Sequence, residues 1–278
     1  MKPPRFAYAR PESIEEALAL LAEADASVLA GGMSLAAMLN MRLAGPELVI
    51  DINRLPGCDT ITTDGDTVHT PCLVRQADAL LDGSVPLLTL ALPHVGHMQT
   101  RNRGTLCGSV AHADPSAEVP LCLTALGGQV ELGSQRGTRR MPAEEFFEGL
   151  LTTLREPDEM ITGLIWPRAA PGTGYGFAEI AQRRGDFALA AAAAWARLDG
   201  DIAELGFALG GIEDRPRLFR PDASGMPATQ ATARELAAAA IRELDTMSDH
   251  QADAGFRRQL GVEMATHALC DAFAGATG

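Results

Sequence analysis

A strand, a glycine pair and a helix follow one another near the amino terminus, and this pattern constrains the fold most. Residues 27–30 favour a short buried strand, Gly31 and Gly32 end it, and residues 35–42 have helical spacing. A helix over residues 13–23, with a capping box at Ser13, precedes the pattern, and a buried strand over 48–52 follows it. The alternation predicts one compact α/β unit over residues 1–55.

A different pattern begins at residue 56. Short strands at 60–63 and 67–70 flank an Asp64-Gly65 turn, and a helix is expected around 78–81. A further helix is predicted to open at Pro115, with Asp114 as its possible N-cap. Strands near 129–132 and 160–166 complete a second subdomain that we place at residues 56–173, with the Pro- and Gly-rich stretch 167–176 as a linker or long turn.

The remaining residues, 174–278, predict a separate α+β domain. Strands are expected at 175–181, 188–198 and 202–209, and helices at 228–244 and 251–273. The alanine run from Ala188 to Ala196 is ambiguous because alanine favours helix in isolation, and only the turns on either side favour a strand.

Charge and cysteine content exclude several classes of function. The net charge of -13 opposes binding to nucleic acid or an anionic membrane. The amino terminus lacks the apolar core of a signal peptide, and no stretch approaches the roughly 20 apolar residues of a spanning helix, so we expect a cytoplasmic protein. The five cysteines form no CxxC pair, which argues against a disulfide framework and an intrinsic iron–sulfur or zinc site.

Two glycine-containing loops are the candidate binding sites. In AGGMS, residues 30–34, adjacent glycines can bring backbone N–H groups close to an anion such as a pyrophosphate, although a tight turn without a ligand has the same pattern. The second loop, RNRGTLCGSVAHADPSAEVP, covers residues 101–120, and its Arg101 and Arg103 would bind phosphate or anchor the loop to carbonyl groups. Neither loop matches GxGxxG or GxxxxGK[ST], but two loops from two subdomains could clasp one diphosphate.

The histidines and Cys107 offer weaker candidates. His94 and His97 lie three residues apart with His112 nearby, but without a carboxylate ligand pattern ordinary loop or core histidines are favoured over a metal site. Cys107 is either a reactive thiol or a buried packing residue.

Taken together, the two loops resemble those of the FAD-binding medium subunits of molybdenum hydroxylases, the family of carbon monoxide dehydrogenase and xanthine dehydrogenase. The resemblance continues through DEMITGLIWP (158–167), QRRGDFALAAAA (182–193) and SDHQADAGFRRQLGVEMATHAL (248–269), and so covers essentially the whole chain. It implies an α+β protein: a two-subdomain FAD-binding fold of the vanillyl-alcohol-oxidase (PCMH) type, followed by a smaller C-terminal α+β domain like that of the carbon monoxide dehydrogenase flavoprotein.

The resemblance also implies a set of FAD-binding residues. The first loop would cradle the pyrophosphate, the second would line the same cofactor, Ile161 would pack beside the flavin ring, and Phe187 would cover the ring unless it is a core residue. The implied set comprises Ala30, Gly31, Gly32, Met33, Ser34, Leu35, Thr105, Gly108, Ser109, His112, Asp114, Glu118, Ile161 and Phe187. Gly32→Val is expected to empty this site and leave the fold intact.

Three positions depart from the family pattern. Most relatives have Gln or His where Met33 stands and a second glycine where Cys107 stands, which would remove a polar contact and make one backbone position less permissive. The lysine that some relatives carry before the RRGDFA-type motif is absent, because this stretch contains Glu179.

The resemblance implies an oxidoreductase subunit in which the cofactor carries the chemistry and no side chain acts as a catalytic acid, base or nucleophile. FAD would accept electrons from a small 2Fe-2S subunit and pass them to an external acceptor. Substrate would be hydroxylated on a large molybdopterin-binding subunit, with the complex forming a dimer of heterotrimers. The alternatives are a self-contained flavoprotein oxidase of the same fold and a structural subunit with a decayed flavin site. The substrate (carbon monoxide, an N-heterocycle or alkaloid, a purine or an aldehyde) and the acceptor stay open.

Overall fold

The computed structural model describes residues 2–276 and contains three sheets of three or more strands. The first unit holds a three-stranded parallel sheet in the order β1-β3-β2, with two helices in its connections. Its elements are β1 (Ala7–Ala9), α1 (Ile14–Glu23), β2 (Ala26–Leu29), α2 (Leu35–Met41) and β3 (Leu48–Asp51). The predicted α/β unit is therefore present, and the Ser13 hydroxyl caps α1 by accepting the Glu16 N–H at 3.2 Å.

The second unit has a five-stranded antiparallel sheet in the order β4-β5-β10-β6-β7, with helices inserted between its strands. The strands are β4 (Thr62–Asp64), β5 (Thr67–Pro71), β6 (Gln129–Ser134), β7 (Gly137–Pro142) and β10 (Met160–Pro167), and β8 (Phe147–Gly149) pairs separately with β9 (Thr152–Thr153). The helices are α3 (Gln76–Asp82), α4 (Pro86–Ala91), α5 (Met98–Arg101), α6 (Leu106–His112), α7 (Glu118–Ala125) and α8 (Ala143–Phe146), with a 3-10 turn over Leu92–His94.

The predicted helix start at Pro115 is wrong. Helix α7 begins at Glu118, and Pro115 lies in a turn in which the Ala117 N–H bonds to the Asp114 carbonyl. The Asp114 carboxylate accepts the Ser116 N–H at 2.8 Å and therefore stabilises this turn instead of capping α7. The Pro115 carbonyl accepts the Gly211 N–H from the C-terminal unit at 2.8 Å. The turn before α7 thus combines local hydrogen bonds of Asp114 with a contact to the C-terminal unit.

The third unit is a four-stranded antiparallel sheet in sequential order, covered by two helices. Its elements are β11 (Thr173–Ala181), β12 (Ala188–Asp199), β13 (Asp201–Gly210), β14 (Arg217–Phe219), α9 (Gln230–Arg242) and α10 (Ala254–Ala276). The expected linker is shorter than predicted, because β10 continues to Pro167 and β11 already begins at Thr173.

The alanine run does form a strand, β12, and its small side chains allow both faces of the sheet to be covered. Ala191 and Ala193 join the core of the first two units, whereas Ala190, Ala192 and Ala194 pack in the core shared with α9 and α10. Close packing continues on β11, where a Cβ at Gly176 would lie 1.9 Å from a carbonyl of α10. Helix α10 therefore lies so close to β11 that only glycine fits at position 176.

Within residues 2–276, none of the helices combines the length and apolar character needed to span a membrane.

Candidate flavin-binding site

One cavity of about 640 Å³ lies where the three units meet. Every residue that the sequence implied for the cofactor lines it: Ala30, Gly31, Gly32, Met33, Ser34, Leu35, Thr105, Gly108, Ser109, His112, Asp114, Glu118, Ile161 and Phe187. The volume is within the range of about 300–1,000 Å³ usual for small-molecule sites. The structure thus brings together residues separated by more than 150 positions in the chain.

The two glycine loops touch each other directly at Gly31. A Cβ at this position would lie 2.1 Å from the Arg103 carbonyl oxygen, so only glycine permits the contact. At Gly32 the backbone has a φ of +74°, and a Cβ would lie 3.2 Å from the Leu29 side chain. Valine at this φ strains the backbone whether or not a ligand is bound, so Gly32→Val does not separate an effect on the cofactor from an effect on stability.

A polar bridge that the sequence did not indicate holds the two loops together. The Arg75 guanidinium donates to the Arg103 carbonyl at 2.5 Å and to the Asn53 side-chain oxygen at 2.6 Å. The Asn53 amide in turn donates to the Ala30 carbonyl at 2.7 Å. Arg75 and Asn53 therefore set the spacing of the two loops from behind the cavity.

Arg103 contributes its carbonyl to this bridge, and Arg101 donates to the Val95 carbonyl at 2.9 Å. Arg101 therefore anchors the loop, which is one of the two roles considered for these arginines. Neither residue lines the cavity.

Helix α6 carries the second loop into the cavity wall. Thr105 caps it, since its hydroxyl accepts the Gly108 N–H at 3.0 Å. Cys107 lies within the helix with only 3% of its surface exposed, and it has no positive φ that would require glycine. Burial raises the pKa of its thiol well above the ordinary value, so this cysteine is a packing residue and not a reactive thiol.

The C-terminal unit closes one side of the cavity through the loop between β11 and β12. Gly185 in this loop has a φ of +84° and packs on the Gly96 backbone, where a Cβ would lie 2.9 Å from the carbonyl oxygen. Phe187 follows, 66% exposed and lining the cavity. The alternative that Phe187 is a core residue is wrong.

Sequence reasoning missed several residues of the cavity wall, among them Leu151 and Arg155. Leu151 is 46% exposed with a φ of +54°, and its N–H bonds to the carbonyl of Ala113, which also has a positive φ. Arg155 donates to the Glu159 carbonyl at 2.6 Å, and burial lowers its pKa. The sequence signal for this part of the wall was the pair of adjacent leucines at 150 and 151, just before a polar stretch. Apolar residues in a loop need a partner surface.

Carboxylates at the site differ in ionisation. Hydrogen bonding from Arg139, which donates to Glu159 at 2.6 and 2.8 Å, lowers the pKa of Glu159. Burial, reinforced by the charge of Glu179, raises the pKa of Glu118 to about 8. Glu118 was expected to act as a hydrogen-bond acceptor, but with this pKa it is protonated near neutral pH and is able to donate a hydrogen bond.

The donor set and the shape fit FAD. At Gly31 the two loops meet without a side chain between them. Both loops form part of the cavity wall, and the apolar residues Ile161 and Phe187 line the cavity as surfaces on which a flat ring would pack. No group of three or more His, Cys, Asp or Glu residues suited to a metal ion occurs in residues 2–276.

Two protein families together match nearly all of the chain. The family described as "FAD binding domain in molybdopterin dehydrogenase" matches residues 4–169, and "CO dehydrogenase flavoprotein C-terminal domain" matches residues 175–272.

Individual relatives agree with this result over their full length. The chain is 36% identical to the nicotine 6-hydroxylase medium subunit of Paenarthrobacter nicotinovorans, with 98% of this chain and 99% of that protein covered. It is 33% identical to the carbon monoxide dehydrogenase medium chain of Hydrogenophaga pseudoflava, with 99% of both covered.

Solved structures share the fold. Carbon monoxide dehydrogenase from Hydrogenophaga pseudoflava has a TM-score of 0.93 at 34% identity, covering 99% of both chains. Quinoline 2-oxidoreductase from Pseudomonas putida 86 has a TM-score of 0.95 at 31% identity, covering 100% of both. The fold, the cavity and these similarities agree: the chain belongs to the family of FAD-binding medium subunits of molybdenum hydroxylases.

Proposed function

We propose that this chain holds FAD in the cavity, accepts electrons from a 2Fe-2S partner subunit and passes them to an external acceptor. The observation that carries the proposal is the convergence of both glycine loops, Ile161 and Phe187 on one cavity. FAD, when bound, supplies the redox chemistry, and the chain's own residues bind and orient it. Gly31 and Gly32 with the neighbouring backbone would hold the pyrophosphate, and Phe187 would cover the ring.

The flavin site has not lost the geometry that binding requires, which disfavours the alternative of a structural subunit with a decayed site. Met33 replaces a polar residue of relatives but is 44% exposed at the cavity, so it leaves the pocket open. Cys107 lines the cavity from within helix α6, but only 3% of its surface is exposed, so it projects little into the space.

Released flavin tests the cofactor assignment. The chain is purified gently, the protein is denatured by heat, and FAD in the supernatant is quantified against protein. We expect about one FAD per chain, since the structure offers one matching cavity. A chain that is folded but contains no flavin, even after incubation with excess FAD, would contradict the assignment.

Assembly distinguishes the proposed subunit from a self-contained oxidase. We propose a large molybdopterin-binding partner and a small 2Fe-2S partner, assembled as a dimer of heterotrimers. The names of the relatives, medium subunit and medium chain, support a complex that contains a larger and a smaller subunit. Affinity purification from the native host, with mass spectrometry and light scattering, should recover both partners at equal stoichiometry and the mass of six chains. Recovery of a lone chain that oxidises an organic substrate would support the oxidase alternative.

A further inference from the structure

Two carboxylates lie at the junction between the cavity and the C-terminal unit. Glu118 is the first residue of α7, is partly buried and lines the cavity. Glu179 is on β11, and its side chain is only 4% exposed. One of its oxygens, Oε2, is buried and has no hydrogen-bond partner among the described residues. A buried carboxylate oxygen without a partner is costly when charged, but a proton on it removes the charge.

His94 connects this pair to solvent. Its Nδ1 lies 3.9 Å from Glu179 Oε1, and its side chain is 41% exposed. The ring also packs on Phe177, with centroids 5.1 Å apart, which fixes the imidazole beside the carboxylate. A gap of 3.9 Å is short enough for a small side-chain movement or one bridging water to complete a hydrogen-bonded path.

The surroundings of Glu118, Glu179 and His94 shift the pKa values of these groups, and the charged and titratable neighbours belong to several elements. Burial raises the pKa of Glu179 to about 7, and the charge of Glu179 is the second cause, after burial, of the raised pKa of Glu118. Asp114 raises the Glu118 pKa further. Burial, followed by the charge of Arg184, lowers the pKa of His94. Cys122, one turn along α7 from Glu118, stays protonated because burial raises its pKa.

We propose that Glu118 and Glu179 form a proton-holding site that serves the flavin cavity and exchanges its protons with solvent through His94. The inference rests on the proposed function. Two electrons and two protons convert FAD to FADH₂, whereas iron–sulfur clusters deliver electrons alone, so the protons must come from water or from side chains. Glu118, at the cavity wall, releases a proton to the cavity, Glu179 replaces it, and His94 passes on a proton from water.

The first test detects the protons themselves. Infrared difference spectra compare the full complex carrying the wild-type chain with complexes carrying Glu118→Gln or Glu179→Gln, at about pH 6, below both raised pKa values. Each substitution should remove about half of the protonated-carboxyl band shared by the pair. Exposed Glu145→Gln is the matched control and should remove none. A wild-type complex without this band, or equal spectra for the three variants, would overturn the proposal.

The second test follows exchange along the path. After transfer to D₂O, His94→Gln should slow the deuterium shift of the carboxyl band by at least about 100-fold, the low end of effects from removing a positioned proton-transfer group. The nearby exposed His97→Gln should exchange like wild type. Unchanged exchange in His94→Gln rules out the proposed path.

The third test asks whether Glu118 supplies a proton to the cavity when the flavin is reduced. The FAD-loaded complex is reduced by a viologen radical, which carries no proton, and an indicator dye reports proton uptake. Glu118→Gln should slow proton uptake by at least about 100-fold relative to Glu145→Gln, and an equal rate would refute the proposed role.

FAD content measured in the same samples separates the two proposals. A protonated pair in a chain that binds no FAD contradicts only the proposed function. FAD at full occupancy without the carboxyl band contradicts only the proton-holding site.

Discussion

Met33 lies in the first loop and lines the cavity, so a charge at this position tests the proposed placement of the pyrophosphate. Met33→Glu adds a negative charge at the cavity wall, and repulsion at short range should weaken FAD binding by at least about tenfold. Met41→Glu is the matched control, because Met41 ends α2, the helix that follows the first loop, and is 53% exposed, against 44% for Met33, but does not line the cavity. Titration of the FAD-free chain, followed by flavin fluorescence, measures both. Equal affinities would place the pyrophosphate elsewhere.

Arg75 acts on the cofactor only through the loops that it joins. Arg75→Met removes charge-assisted hydrogen bonds worth about 1.5–3 kcal/mol, and the loops then separate more freely. We expect the dissociation constant for FAD to rise by about 10- to 100-fold if most of this energy is spent on ordering the loops.

Arg54→Met, at an exposed position near the bridge, is the control for loss of one positive charge. Calorimetric titration distinguishes the two variants. If Arg75→Met lowers only the melting temperature while the affinity for FAD is unchanged, Arg75 does not position the loops.

At the scale of elements, helix α10 is tied to the third sheet by a buried arginine. Arg257 is 1% exposed and donates to the Leu189 and Gly211 carbonyls at 2.7 and 2.8 Å and to Asp249 at 2.6 Å. Arg257→Met leaves these acceptors without their donor and should destabilise the protein by about 3–5 kcal/mol. Arg258→Met, at the adjacent exposed position, should cost less than about 1 kcal/mol.

Chemical denaturation of both variants measures this difference. A similar small loss of unfolding free energy for Arg257→Met and Arg258→Met would show that other contacts, and not the arginine, hold α10 to the sheet.

For the whole molecule, the raised pKa values of Glu118 and Glu179 make stability depend on pH. Both carboxyls have an ordinary pKa of 4.5 when unfolded, against about 8 and about 7 in the fold. Their contribution is fully present below about pH 4.5 and is lost as the pH rises through these folded values, because the unfolded chain releases its protons first. The melting temperature of the FAD-free chain should therefore fall between about pH 5 and pH 8.5.

The double variant Glu118→Gln/Glu179→Gln should flatten this dependence, since glutamine stays neutral throughout. Glu145→Gln, at an exposed position, should keep the wild-type slope. A double variant with the wild-type slope would mean that other groups cause the pH dependence.

Local chemistry was sufficient to predict much of the fold. The N-cap at Ser13, the strand–glycine–helix pattern at Gly31 and the strand character of the alanine run were all confirmed. Each of these depends on backbone preferences and side-chain periodicity over a few residues, which a sequence contains directly. The Glu16 carboxylate accepts the N–H of Glu12, one residue before the position that a capping box requires. The start of α7 was predicted wrongly: Pro115 lies in a turn closed by Asp114, its carbonyl accepts the N–H of Gly211, and the helix begins at Glu118.

The residues that line the cavity were also predictable, but from the joint resemblance of several motifs and not from either glycine loop alone. Only the tertiary structure decided which contacts hold the two loops in place and which acidic side chains near the cavity are protonated. The bridge through Arg75 and Asn53 joins groups that are ordinary polar residues in the sequence. Glu179 gains its raised pKa from burial beneath another unit, and burial results from the packing of the whole chain. The sequence by itself thus determined many of the elements and the glycine-loop part of the cavity wall, whereas long-range packing decided the rest of the wall, the spacing of the loops and the protonation of the acids.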